Sequence, residues 1–199
     1  MPDWATHYFE PESFAIRARE LLIGAPDTTP TKQDGTHRPA AILVPVLARQ
    51  TGATVLLTQR TQGLKDHAGQ IAFPGGKIEH TDKTPLHAAM REAFEEVGLP
   101  RQAIQPLGFM PPYFSVTGFK ITPLVALVEP DMPLTINYGE VSEVFEIPLQ
   151  FLMNPHNHAV ENLDINGLKR KSYSITHNEH YIWGVTAAII RQLYERLYG

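Results

Sequence analysis

Glu92, Glu95 and Glu96 fall close together behind Arg91. On a helix, residues three and four apart are surface neighbours, so Glu92 lies beside both other acids. Like charges at that spacing destabilise an isolated helix by roughly 0.2–0.5 kcal/mol per pair, and a cation is expected to offset them. Hard carboxylate oxygens suit Mg²⁺ or Mn²⁺. Such an ion beside a diphosphate neutralises phosphate charge and activates a bound water as nucleophile. Arg91 has the planar fork to orient one carboxylate through a bidentate pair. An acidic run alone is more often a solvated helix face. Two features favour metal chemistry. PGGK (74–77) immediately precedes the turn into this segment, where glycines let backbone groups approach a ligand or metal closely. The order Gly-Gly, acid, Arg-Glu, Glu-Glu-x-Gly is also far more specific than any one of its parts.

The acids need a helix, and residues 85–97 predict one. Thr84 is an N-cap, Pro85 suits the first helical position, and Gly98 ends the helix. Leu86, Met90, Ala93 and Val97 form the stripe that faces the core. Upstream, AAILVPVLA (40–48) and TVLLTQR (54–60) read as strands joined in a hairpin at Gln50-Thr51-Gly52, with Pro45 pointing to an edge or a bulge. GQIAFPGG (69–76) reads as a short strand entering a glycine turn. IQPLGFM (104–110), ITPLVALV (121–128), VFEIPL (144–149) and KRKSYSI (169–175) read as further strands or strand ends. HYIWGVTAAIIRQLYERL (180–197) reads as one closing amphipathic helix, with Val185, Ile189, Leu193 and Leu197 spaced by four. A first helix over 10–23 turns Phe14, Ala18, Leu21 and Leu22 to one face and stops at Gly24. The Pro/Thr/Asp/Gly-rich stretch 25–39 reads as a linker or exposed loop. The fold class is α/β (α+β), a sheet core covered by helices. The division is an N-terminal helix and linker, 1–38, followed by a main domain, 39–199.

Composition bounds the function. The 199 residues, 43% hydrophobic and 19% charged, suit a soluble globular chain that buries a core without staples. The absence of cysteine excludes disulfides, thiolate catalysis and Cys-ligated zinc. With Lys+Arg 17 against Asp+Glu 21, the net charge of −4 gives no basic surplus for nucleic acid. Anionic substrates must then be held by local cations and metal ions. No apolar run of membrane-spanning length occurs, MPDWATHYFEPESF lacks signal-peptide order, and ERLYG is not a peroxisomal address. A cytoplasmic protein is the expectation.

GGKIEHTDKTPLHAAMREAFEEVGL resembles the Nudix box, G-x5-E-x7-R-E-U-x-E-E-x-G-U. Arg91, Glu92, Ala93, Glu95, Glu96, Gly98 and Leu99 match its second half. Counting from Gly76, the first glutamate of the pattern falls on Asp82, and eight residues rather than seven separate it from Arg91. That longer spacing is similar to the subgroup of coenzyme A diphosphatases. Upstream, LLTQRTQGLKDHAGQIAFPGG (56–76) resembles that subgroup's signature nearly throughout, with Lys65 where arginine is usual. The likeness spans roughly residues 38–197.

The resemblance implies a Nudix-type α/β/α sandwich with a mixed sheet. It implies hydrolysis of coenzyme A to adenosine 3′,5′-bisphosphate and 4′-phosphopantetheine, with Mg²⁺ or Mn²⁺ as cofactor. Glu92, Glu95 and Glu96 would bind the metal, joined by the Gly76 carbonyl and by a loop acid, Glu140; in the family one box glutamate acts instead as the base, and which one varies. Arg60, Lys65 and Lys77 are candidate phosphate contacts. His67 either meets a phosphate or organises the HAGQ turn, and Gln70 either meets substrate or caps a strand end. Glu143 and Glu146 read as surface acids, Phe73, Phe114 and Phe119 as core, and Trp183 as packing on the last helix. Residues 1–38 are a dimer arm, a lid or a packed accessory helix, and a homodimer follows only from family habit. The alternatives are another Nudix substrate (ADP-ribose, a dinucleotide or a nucleoside triphosphate) and a non-catalytic nucleotide-binding regulator.

Overall fold

The computed structural model describes residues 9–24, 37–63, 67–165 and 168–199, so the 25–36 part of the expected loop and Lys65 lie outside the described residues. Helix α1 (Pro11–Leu21) starts behind Glu10 with proline in its first turn. It buries Phe14, Ala15 and Ala18. It ends before Gly24: Leu22 turns extended and inward, and Ile23 exchanges two backbone hydrogen bonds with Phe109, at 2.9 and 2.8 Å. Leu21, expected on the buried face, is consequently exposed.

The centre of the sheet is β1 (Arg38–Arg49), in hairpin with β2 (Gly52–Arg60). Strands β3 (Ile71–Ala72) and β4 (Gly75–Lys77) follow, pairing with β2 and β1. Gly75 and Gly76, expected in a turn, are therefore in a strand. After helix α2 (Pro85–Val97) come β5 (Ile104–Phe109), β6 (Tyr113–Phe114) and β7 (Phe119–Val128). β7 runs parallel to β1 and antiparallel to β5 and β6. Strand β8 (Val141–Pro148) pairs with the free side of β2 and leads into the short α3 (Leu149–Leu152).

Pro45 is not at an edge. β1 lies between β7 and the β2/β4 side, and proline fits because the partner changes there. β4 pairs with residues 40–42 and β2 with 46–49. Leu43 donates to Pro74 O on that side, so the N–H that Pro45 lacks would face the gap between the two ladders.

A second, three-stranded sheet holds β9 (Ala159–Ile165), β10 (Leu168–His177) and β11 (His180–Trp183). The expected helix over 180–197 therefore begins only at Gly184, as α4 (Gly184–Leu197). His180–Trp183 is a strand because it pairs across a tight turn with Ser174–His177, a long-range ladder that periodicity does not register. Trp183 precedes the helix and is exposed. Phe114 is likewise exposed, whereas Phe73 is core.

Side chains of β1 alternate between two cores. Ala41, Leu43 and Leu47 pack under α2 with Ala89, Ala93 and Val97. Val44 and Val46 pack on the other side with Phe14, Ala18, Ile189 and Leu193 of α1 and α4. The result is the expected sandwich, helices on both faces of a mixed sheet. Both faces being covered explains why β1 reads as an unbroken apolar run. No helix among the described residues is long and apolar enough to cross a membrane.

Candidate functional site

Helix α2 carries the acids and is fixed at both ends. Thr84 Oγ1 accepts from the His87 amide at 3.3 Å. Gly98 closes the other end in the left-handed region (φ 74°), where a side chain would be strained and a Cβ would meet Thr135 N at 2.8 Å. With Ala89, Ala93 and Val97 on the core, Glu96 comes down beside the sheet, 3% exposed. Glu92 is partly covered and Glu95 is half exposed.

Strand β4 meets this face of the helix. The Gly75 amide donates to Glu96 Oε2 at 3.2 Å. A Cβ on Gly76 would lie 2.6 Å from Glu92 Cδ, so only glycine allows strand and carboxylate to approach this closely. Arg91 Nη2 ties the same strand to the helix by donating to Lys77 O at 3.1 Å.

Arg91 is the hub of the acids. Its Nη1 donates to Glu92 Oε1 at 3.1 Å and to Glu95 Oε2 at 2.8 Å. Its Nη2 and Nε donate to the two oxygens of Asp82. Asp82 also accepts from the Glu79 amide. Burial alone would raise the Asp82 carboxyl, but the Arg91 bond and the Glu79 amide outweigh it and hold the group below its ordinary range. The inserted residue therefore does not remove Asp82 from the site; it becomes the clamp on Arg91.

Glu96 has no comparable partner. Burial, with Glu92 and Glu140 adding to it, pushes its carboxyl up to about 8 against the Gly75 amide and Arg60. Arg60 Nη1 stands 3.9 Å from Glu96 Oε1, and Arg60 Nε is buried without a hydrogen-bond partner. Glu92 is raised as well, again by burial first, with Arg91 opposing. Glu140 acts on both carboxyls, so the loop acid lies within electrostatic reach of the helix. Its carbonyl accepts from the Thr61 amide at 2.9 Å, and Asn137 Nδ2 donates to its Oε1 at 3.2 Å.

The other candidates divide. His67 Nδ1 and Gln70 Oε1 are 2.8 Å apart, and the Gln70 amide donates to His67 O, so these two organise the turn. Lys77 is exposed on β4. Glu143 is half exposed beside His180, and Glu146 is a partly buried partner of Arg49 and Thr54 rather than a free surface acid. Asn137 went unnoticed in the sequence, although N-x-G is a turn signal; its Oδ1 accepts from the Gly139 amide.

Among the described residues no three acidic or histidine side chains are already gathered as a metal cage. The buried Glu96 and the partly covered Glu92, both with raised affinity for protons, a third acid in reach and backbone glycines alongside nevertheless form a hard-oxygen donor set. That set fits a divalent cation.

The NUDIX domain profile matches residues 36–165. A protein of Escherichia coli strain K12 named "Uncharacterized Nudix hydrolase NudL" is 42% identical over 158 residues, covering 79% of this chain and 81% of that protein. Its counterpart in Shigella boydii serotype 18 matches over the same shares. Among solved structures, the NUDIX domain of Shewanella oneidensis NrtR complexed with ADP ribose superposes with a TM-score of 0.53 at 17% identity, covering 85% of this chain and 94% of that one. DR0079 from Deinococcus radiodurans gives 0.52 at 16% identity, over 87% and 90%. At such identities these structures speak for the fold.

Proposed function

The chain belongs to the Nudix family and is a hydrolase of a nucleoside diphosphate derivative, and we propose that its substrate is coenzyme A, cut at the diphosphate into adenosine 3′,5′-bisphosphate and 4′-phosphopantetheine. The observation that carries this reading is Arg60. It ends the LLTQR part of the segment that resembles coenzyme A diphosphatases, and its guanidinium stands 3.9 Å from Glu96 of the box. The substrate-class signature and the hydrolytic acids thus meet at one place.

Nudix hydrolases generally use divalent metal ions. In this chain Glu92, Glu95, Glu96, Glu140 and the Gly76 carbonyl would hold Mg²⁺ or Mn²⁺. When bound, the ion neutralises diphosphate charge and makes a coordinated water acidic. Arg91, clamped by Asp82, orients Glu92. Arg60 offers the exposed part of its guanidinium to phosphate oxygens. Lys77 and Lys65 add cationic contacts from the same signature segment. Asn137 Nδ2, donating to Glu140 Oε1 at 3.2 Å, would hold the loop acid in place toward the ion. Residues 39–199 are the hydrolase domain in this reading, residues 1–38 its accessory segment, and the cytoplasm its place of action.

The test is hydrolysis of coenzyme A by the purified protein with Mg²⁺ or Mn²⁺, against ADP-ribose and NADH, with products identified by mass. Metal-dependent release of 4′-phosphopantetheine, favoured over the other reactions, is expected. Cleavage of ADP-ribose or NADH alone would discard the coenzyme A reading and keep the family chemistry.

A further inference from the structure

Tyr138 is 72% exposed, the most exposed of the large hydrophobic side chains among the described residues. Single exposed aromatics are common on protein surfaces, so exposure alone means little. The backbone beneath this one is unusually well fixed. The Asn137 amide donates to Glu96 O at 3.0 Å and the Thr135 amide to Val97 O at 3.0 Å, tying the segment to the end of α2. The Glu140 and Val141 amides both donate back to Asn137 O, and Gly139 donates to the Asn137 side chain. On the far side Thr61 donates to Glu140 O. One pinned turn therefore presents Tyr138 and Glu140 together. Their Cα atoms are at most about 7 Å apart along the chain, and Glu140 is within electrostatic reach of Glu92 and Glu96.

The acids, Arg60 and the β4 backbone deal with phosphates. A nucleoside diphosphate derivative also carries a planar base, which needs a π-face to stack on. Among the aromatic residues of the signature segments, Phe73 is buried, Arg38 covers the Phe119 ring at 4.1 Å, and the exposed Phe114 meets His37 edge-on at 5.1 Å. Phe94 is exposed on α2 but lies two residues from both Glu92 and Glu96, so it does not share their face. Tyr181 and Trp183 belong to the small sheet, on a different segment from the carboxylates. We propose that the Tyr138 ring is the stacking platform for the purine base of the substrate. The proposal rests on the reading of the site as one for a nucleoside diphosphate derivative, but not on coenzyme A being that derivative.

The experiment compares Tyr138→Ala, Tyr138→Leu and Tyr138→Phe with the unaltered protein, all at an exposed position where folding is not at stake. For whichever purine diphosphate is cleaved, Ala and Leu should raise KM about tenfold with little change in kcat, and Phe should restore the original KM. Unchanged KM in the Ala variant, or Leu performing as well as Phe, would overturn the platform. Turnover of ADP-ribose instead of coenzyme A would fail the substrate reading alone, since both carry adenine and the Tyr138 comparison proceeds on either. Should neither be cleaved, calorimetry with AMP against ribose 5-phosphate decides. A preference for AMP that Tyr138→Ala abolishes supports the platform, and equal binding of the two ligands or a preference that survives the substitution refutes it.

Discussion

Arg91 and Asp82 face each other through two hydrogen bonds, Nη2 to Oδ2 at 2.9 Å and Nε to Oδ1 at 3.2 Å. Asp82 is almost wholly covered, and the planar fork of Arg91 matches its two oxygens. The same guanidinium reaches Glu92, Glu95 and Lys77 O. Asp82 sets the plane of the fork, so it sets which oxygens of the box Arg91 can touch. It is a positioning residue, acting through Arg91 on Glu92.

Asp82→Ala should therefore lower kcat more than it changes KM, and cost about 1–3 kcal/mol in urea unfolding, because Arg91 keeps its charge and loses its best partner. The Asp82 carboxyl is depressed on folding, so its contribution is full above its unfolded pKa near 4 and is lost as pH falls through the lower folded value. Asp82→Asn should start less stable at neutral pH and lose less on acidification. An unchanged kcat in Asp82→Ala would remove the positioning role.

Glu96 predicts the opposite slope. Its folded carboxyl is raised to about 8, above its unfolded value, so the folded protein holds a proton that the unfolded chain has released. Metal-free protein should lose stability as pH rises from about 4.5 to 8, by at most about 1.4 kcal/mol per pH unit. Glu96→Gln should flatten that slope. Thermal unfolding of chelator-treated protein across this range, repeated with Mg²⁺, checks both points: the ion should raise Tm most at the alkaline end. A metal-free protein that gains stability between pH 5 and 8 would contradict the burial argument.

Glu92→Gln and Glu96→Gln should each lower turnover by about 10²-fold or more with the fold intact by circular dichroism. Glu146→Ala is the control. It breaks the pair with Arg49 at 2.6 Å and the bond from Thr54, on the β1–β2 hairpin, and should cost about 1–2 kcal/mol while leaving kcat alone. Near-normal turnover in both glutamine variants would withdraw the box acids from the chemistry.

How much of this was legible depended on whether the signal was local. Helix α2 was visible to the residue because cap, proline, stripe and terminal glycine all lie within the segment. The acids followed from it. Glycine signals turns locally, so Gly75 and Gly76 read as a turn, whereas in the fold they meet strand β1 and the Glu92 carboxylate. Pro45 points locally to an edge or a bulge, but its tolerance depends on which strand lies beside it. Asp82 stayed ambiguous because an inserted residue breaks a spacing argument but not a spatial one. His180–Trp183 looked helical because its apolar residues run on into α4, and only pairing with β10 separates them.

The first helix offers the last test. Arg17 Nη1 donates to Leu197 O at 2.5 Å and Arg196 Nε donates to Leu21 O at 2.6 Å, so α1 and α4 each supply a cation to the other's C-terminal carbonyls. Phe14 and Ala18 meanwhile belong to the same core cluster as Ile189 and Leu193. Of the three roles open for this segment, residues 11–21 take that of a packed helix. Phe14→Ala should cost about 3–5 kcal/mol. Arg17→Ala combined with Arg196→Ala should cost about 1–3 kcal/mol, from two charge-assisted bonds. Because α1 covers the face of the sheet away from α2, neither change should alter KM. Urea midpoints together with KM decide it: an unmoved midpoint in Phe14→Ala would mean a detachable arm, and a raised KM at full stability would mean a lid.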